Sequence, residues 1–303
     1  MSVALPQIRV GDPLRHVSLS VFPLFSNSVG EVDYRLSEPA LADESLLVEE
    51  VDEGGSVPDL LVENKGDNRV LFLEGEELIG AKQNRILNTS VLVAAHSKLK
   101  IPVSCVEQGR WRYRSRYFGS SGSQPPSKLR RALKASVSKA VEEKRGHASD
   151  QGEVWREVSS LHFAFELQSE TEAMADAFDS CQDRIAEYRD ELQYVPSATG
   201  IAVAIGNKVV SVDLFDKPET CQEVWSRMLS GAVLDAMQAG ETDEVASVAD
   251  VEQLIATAAD LPWKQSEAVG EGEEYRAESD DGDHASALAL EETVVHGSVL
   301  AGV

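Results

Sequence analysis

Three segments carry residue types that do chemistry when a fold brings them together. The first is EGEELIGAKQNRILN, Glu74–Asn88, in which Gln83, Asn84, Arg85 and Asn88 follow Gly80. Amides and a guanidinium offer many directed hydrogen bonds to a polar ligand. A glycine beside them lets that ligand approach the backbone. The plainer alternative is a polar turn with Arg85 paired to a nearby carboxylate. The second is PVSCVEQGRW, Pro102–Trp111. In an extended chain Val103, Cys105 and Glu107 share one face. Glu107 is then a candidate catalytic acid–base group or metal ligand, or half of a structural ion pair with Arg85. Cys105 is a candidate nucleophile or, more commonly for a free cysteine, a small buried hydrophobe. The third is RWRYRSRYF, Arg110–Phe118. As a strand it presents arginines on one face and aromatics, Trp111 included, on the other. Such a surface suits phosphates and stacked rings.

Smaller candidates lie further on. Arg130 and Lys134 sit four apart on an expected helix, where like charges repel slightly and a facing anion relieves them. Arg110 and Arg130 are therefore the candidate phosphate holders. Gln151 and Trp155 follow that helix. Asp213 ends an apolar strand, a place where ligands often sit, and Asp216 reads as a helix cap. Arg276 and His296 fall on the two arms of an expected terminal hairpin. A lone histidine such as His296 is more often structural than catalytic.

The bulk composition restricts the classes. The formal charge is −24, which works against nonspecific attachment to nucleic acid or anionic membrane. Between Lys98 and Arg145, however, 13 Lys/Arg face 3 Glu, a local balance of +10 that leaves −34 on the rest. That basic island marks either an anion site or a contact with the chain's own acidic surface. No run of 18 apolar residues is present, so no membrane helix is expected. The first residues lack a basic start followed by an apolar core, so no secretory signal is read there. The three cysteines, Cys105, Cys181 and Cys221, are scattered and form no CxxC. Neither a disulfide framework nor a zinc ribbon is expected, and no metal site is assigned. The expected location is the cytoplasm.

The elements that must hold these residues give an α+β fold: a β-rich N-terminal lobe, sandwich or barrel-like, followed by helices, a buried β-hairpin and a terminal hairpin. Short apolar runs within 16–118 read as strands, with Lys65-Gly66-Asp67-Asn68 as a turn. A helix is expected from about Ser127. Met174, Phe178, Cys181, Ile185, Tyr188 and Leu192 step at helical spacing, and Ser169 with Glu172 reads as their capping box. TGIAVAIGNKVVSVDLF is a hairpin around Gly206-Asn207. Asp216 and Glu219 open a helix through about Met237, another covers 243–259, and GEEYRAES, DDGD and ALALEETVVHGSVL form the terminal hairpin. The chain is expected to be a single domain over 1–303, with a β-rich half at about 15–118 and a mixed half at about 124–300.

In this order GAKQNRILN, IPVSCVEQGRW, DQGEVW, SETEAM, GIAVAIGNKVVSVDLFDKPET and EETVVH resemble the ARG and rhodanese-phosphatase-superfamily-associated protein domain, over about residues 15–300. The resemblance implies one domain that includes the terminal hairpin, in a bacterial or archaeal intracellular protein. The family's name implies gene association with ADP-ribosyl-glycohydrolase and phosphatase-like enzymes, which fits a nucleotide or ADP-ribose ligand. The resulting expectation is an enzyme acting on a phosphorylated nucleotide or ADP-ribose-like ligand. Gln83, Asn84, Arg85 and Asn88 would position the ligand between the β lobe and the basic helix. Trp111, Gln151, Arg276 and His296 are further ligand candidates, and Glu107 and Asp213 the catalytic ones. The alternative is a non-catalytic binding or adaptor module using the same pocket. A single-strand nucleic-acid binder, resting on RWRYRSRYF alone, is disfavoured by the net charge. No cofactor is assigned.

Overall fold

The computed structural model describes residues 5–27, 30, 32–52 and 58–302. It shows an α+β chain folded into two compact units, each discontinuous in sequence. One comprises residues 1–32, 181–267 and 272–303; the other comprises 33–180 and 268–271.

The second unit holds the three chemistry-bearing segments. It starts with β4 (Tyr34–Leu36), after β1 (Ile8–Val10), β2 (Leu14–His16) and β3 (Leu19–Ser26) of the first unit. Then come α1 (Ser37–Ala42), β5 (Leu46–Glu50), β6 (Asp59–Asn64), β7 (Arg69–Phe72), β8 (Glu77–Gly80), β9 (Arg85–Leu87), β10 (Val91–Val93), β11 (Ser97–Cys105) and β12 (Phe118–Ser120). Six of these strands form a sheet in the order β12-β8-β9-β11-β6-β5. Its edges β12 and β5 curl back into contact, so the sheet nearly closes into a barrel. A small sheet, β10-β7-β4, stands beside it. Leu46, Val48, Leu60, Val62, Phe72, Leu78, Leu87, Ile101 and Val103 fill one apolar core. The Lys65–Asn68 turn is present, but the strands it joins enter different sheets.

Helices α2 (Ser127–Glu142), α3 (Gln151–Ala164) and α4 (Met174–Ser180) complete this unit. The α3 helix is not among the expected elements. Its signal is local, since Asp150 accepts from Glu153 N at 3.1 Å and so satisfies a first-turn N–H. The single helix expected through Leu192 is broken at Cys181 into α4 and α5 (Gln182–Glu191). Its capping box does not form. Ser169 Oγ bonds Asp176, and Glu172 takes a positive φ of 49°. Periodicity survives such a break because both halves bury the same stripe.

The first unit is built on a nine-stranded antiparallel sheet. To β1–β3 it adds β13 (Gly200–Ile205), β14 (Lys208–Phe215), β15 (Lys264–Glu267), β16 (Glu273–Glu278), β17 (His284–Leu290) and β18 (Thr293–Leu300). Helices α6 (Pro218–Ala239) and α7 (Val248–Ala259) belong here too. Strand β3 pairs with β13, so the run HVSLSVFPLF belongs to this sheet and not to the β-rich lobe. Gly206, at φ 58°, makes the expected β13–β14 turn. Asp216 is not the cap of α6. The N-cap is Lys217, and buried Asp216 lies against Gly30, where a Cβ would collide with its carboxylate. The shorter α7 carries its capping box on Ser247 and Asp250. The expected terminal hairpin is a three-stranded meander, because Glu291 and Glu292 adopt positive φ and turn the chain once more. Strand β17 therefore lies between Arg276 and His296, which are not neighbours.

Candidate functional site

Strand β11 ends at Cys105, and the expected arginine-faced strand after it does not form. Glu107 makes an isolated bridge to Ala173. Gly109 then packs so tightly on Thr171 that a Cβ would fall 2.8 Å from it. The chain turns inward there, and Arg110 is buried. Its Nε donates to Glu107 Oε1 at 2.7 Å, and Nη2 lies 2.6 Å from Oε2. Nη1 donates to the carbonyls of Ala81 (2.7 Å) and Arg112 (2.9 Å), and Nη2 is shared further with Gly80 O (3.1 Å) and Asn84 Oδ1 (3.1 Å). A guanidinium used this fully fixes the loop, which is why propensity for a strand loses here.

Gln83, Asn84 and Arg85 join the same network. Asn84 N–H donates to Glu107 Oε2 at 3.0 Å, and Gln83 Nε2 donates to the Glu107 carbonyl. Arg85 Nη1 donates to Gln83 Oε1 at 2.8 Å. Burial pushes the Glu107 carboxyl up. The Arg110 bonds and charge, the Asn84 N–H and the Thr171 hydroxyl outweigh that and hold it below the ordinary carboxylate value. Five residues named from sequence thus converge, and they direct their bonds at one another.

The other side of Arg85 faces differently. The residue is fully buried, and its Nε and Nη2 take no hydrogen bond among the described residues. Nη2 lies 4.0 Å from Glu50 Oε1, although β11 and β6 separate β9 from β5 in the sheet. Cys105 sits beside this pair. Burial pushes its thiol up, and the Arg85 charge only partly offsets that.

Glu50 also lines a groove of about 630 Å³ with Glu49, Asp52, Tyr113, Arg114, Ser115 and Arg116. Its position follows from the fold: the end of β5 forms one wall and the loop entering β12 the other, so the groove occupies the seam of the nearly closed barrel. Three carboxylates face two arginines across it. Arg116 reaches Glu49 at 3.7 Å, a loose pair of exposed side chains. Ser115 Oγ holds the loop by accepting from Ala81 N at 3.0 Å and donating to Tyr117 O at 2.7 Å. Gly80, at φ 124°, admits it, since a Cβ there would stand 2.5 Å from that oxygen. Trp111 and Tyr113 stay 49% and 53% exposed, unusual for large rings. Lys82 Nζ lies 5.4 and 5.1 Å from their ring centres, and Arg85 lies 5.6 Å from that of Trp111, which holds both rings by cation–π attraction.

The remaining named residues lie elsewhere in the unit. Asn88 donates to His147 O at 2.9 Å and accepts from Ser104 Oγ at 2.6 Å. Gln151 bonds both the N–H and C=O of Cys105, at 2.7 and 2.9 Å, extending β11 as a strand neighbour would. Arg130 is buried on α2, and Lys134 pairs with buried Glu74 at 2.8 Å. In the other unit Asp213 and His296 approach to 3.5 Å, with His296 stacked on Phe215 at 5.3 Å. Arg276 pairs with Glu274 at 2.7 Å. Strand register places Arg276, Ser286, Ser298 and Asp213 in one cross-strand row.

The acidic wall is absent from the sequence reading. Its signal is phase: Leu46, Val48 and Glu50 fall on one buried strand face, so a carboxylate occupies a core position. The triad Glu74, Glu76 and Glu77 is likewise buried. Burial, with Glu107, Asp176 and Asp179 nearby, pushes Glu77 up to about 8 against the opposing Ser121 hydrogen bond. Among the described residues no group of three His, Cys, Asp or Glu is spaced to hold a metal ion, and no helix is long and apolar enough to cross a membrane.

A two-unit α+β chain with a barrel-seam groove defines the class. The chain matches the ARG and Rhodanese-Phosphatase-superfamily-associated Protein domain over residues 7–300 and belongs to that family. No curated protein and no solved structure matches it.

Proposed function

We propose that the seam groove binds a phosphorylated nucleotide or ADP-ribose-like ligand, and that the protein is an enzyme acting on it. The observation that carries this reading is that Tyr113, half exposed and held over Lys82, lines the groove with Arg114 and Arg116, while Trp111 stands half exposed over the same cation. Aromatic platforms stack bases, and guanidinium groups take phosphate oxygens in bidentate fashion. The family name, with its ADP-ribosyl-glycohydrolase and phosphatase associations, points to the same ligand class. Glu50 is the group at the groove floor placed for acid–base work. Glu107 and Arg110 act as positioning residues that hold the 110–117 loop. Asp213 and His296 pair with each other within the other unit and are not groove residues.

One observation favours a non-catalytic binding module: Glu107 is committed to Arg110 on both oxygens. The test is native mass spectrometry of ligands that copurify with the full chain, followed by incubation of each with fresh protein. A copurifying nucleotide that is turned over supports the enzyme. Stable retention without turnover supports the module, and copurification of no nucleotide, with no binding of added ADP-ribose, removes both.

A further inference from the structure

The groove is not a plain anion site. Its two walls differ in sign: Glu49, Glu50 and Asp52 on the β5 side, Arg114 and Arg116 with Tyr113 and Ser115 on the other. A phosphate set evenly between them would meet three carboxylates and only two guanidinium groups. A neutral ligand would leave the arginine wall unused. The ligand that satisfies both walls carries an anionic end and, a few ångströms away, a set of hydroxyl donors. Carboxylates accept from sugar hydroxyls, and an acidic side chain is the usual reader of a ribose hydroxyl in dinucleotide sites.

Two further observations give the arrangement a direction. Glu49 and Arg116 already touch across the groove at 3.7 Å, with side chains 36% and 76% exposed. Such an exposed pair is worth little, so a phosphate displaces it at small cost. When Arg116 turns to phosphate, Glu49 gains a free acceptor at the same moment. At the floor, Glu50 is held by Arg85 Nη2 at 4.0 Å and by the Lys82 N–H at 3.4 Å. Two groups beneath it thus hold this carboxylate in place.

Resting on the binding reading above, we infer that the ligand lies across the seam with its phosphates on Arg114 and Arg116 and a free ribose cis-diol on Glu49 and Asp52. The site therefore selects for a nucleoside phosphate whose 2′- and 3′-hydroxyls are both unsubstituted.

The experiment is isothermal calorimetry on the full chain with ADP, 2′,3′-dideoxy-ADP and inorganic diphosphate, repeated with Glu49→Gln. Glu49 is on the surface, so this variant is expected to keep the fold, checked by an unchanged melt. The expected result is that ADP binds and the dideoxy analogue binds at least about tenfold more weakly, because a charge-assisted hydrogen bond is lost. Glu49→Gln should weaken ADP by a similar factor and the dideoxy analogue much less. Equal affinity for ADP and the dideoxy analogue overturns the diol assignment and leaves the phosphate and stacking reading intact. Equal weakening of both ligands by Glu49→Gln overturns it as well. If diphosphate binds as tightly as ADP, neither sugar nor base is read and the inference fails. If none of the three binds, and ADP-ribose does not, the binding reading falls with it.

Discussion

Replacing Arg110 by methionine isolates the clamp that shapes the groove wall. The wild-type guanidinium makes two contacts to Glu107, at 2.7 and 2.6 Å, and bonds to three carbonyls and the Asn84 amide. Both side chains of the ion pair are at most 2% exposed. Removing one partner leaves a buried carboxylate uncompensated, which costs about 3–5 kcal/mol. The orphaned carbonyls add to this, so the loss is a large part of the 5–15 kcal/mol typical of a domain. The pH dependence supplies the sharper test. In the wild type the Glu107 pKa is depressed. Its contribution is complete above the unfolded value of about 4.3 and is lost as pH falls through the folded value. Without Arg110, burial dominates and the folded pKa rises above the unfolded one. The variant then loses stability as pH rises, so its deficit should be larger at pH 7.5 than at pH 5. Urea unfolding of both proteins at the two pH values measures this. A deficit below about 1 kcal/mol, or one independent of pH, would refute the clamp.

Three further outcomes follow from the same structure. Glu77, with its pKa pushed up to about 8, costs stability between its unfolded value and that pH, so Glu77→Gln should gain on the wild type by up to about 1.4 kcal/mol per pH unit between pH 5 and 7.5. A difference that does not change with pH in urea melts contradicts this. Cys105 should label with a thiol reagent only at the rate of unfolding, since it is 1% exposed with its pKa raised; fast labelling of the native protein contradicts that. Truncation after Gly270 removes β16–β18, including Val295, Val299 and Leu300, and strips β14 of one of its two neighbours. The fragment should melt far below the full chain or show no cooperative melt, and an unchanged melting temperature contradicts it.

The fold was legible where side chains alternate or step on one face. The run GIAVAIGNKVV reads as a hairpin because its turn needs a positive φ at Gly206, and the α2 helix reads from its apolar stripe. What could not be read depends on contacts distant in sequence. Arg110–Tyr117 has strand propensity, but Arg110 is drawn inward by Glu107, Ala81 and Asn84, and no local pattern announces that. The break at Cys181 leaves the helical period intact, so periodicity alone extends the helix across it. Convergence of Gln83, Arg85, Glu107 and Arg110 was visible as a set of complementary types. The groove was not, because it depends on β5 returning to β12 around the barrel, and that closure brings Glu49 and Glu50 opposite Arg114 and Arg116. A sheet-order effect of this kind leaves only one trace in sequence, a glutamate in phase with Leu46 and Val48.

The most direct measurement of the central claim is calorimetric titration of ADP-ribose into the full chain and into the double variant Tyr113→Ala/Arg114→Ala. Both side chains are exposed, so the double variant is expected to fold as the wild type does. Loss of one stacking platform and one phosphate contact should weaken binding at least about tenfold. Undiminished affinity in the double variant, or no ADP-ribose binding by the wild type, would contradict the assignment of the seam groove as a nucleotide-type ligand site.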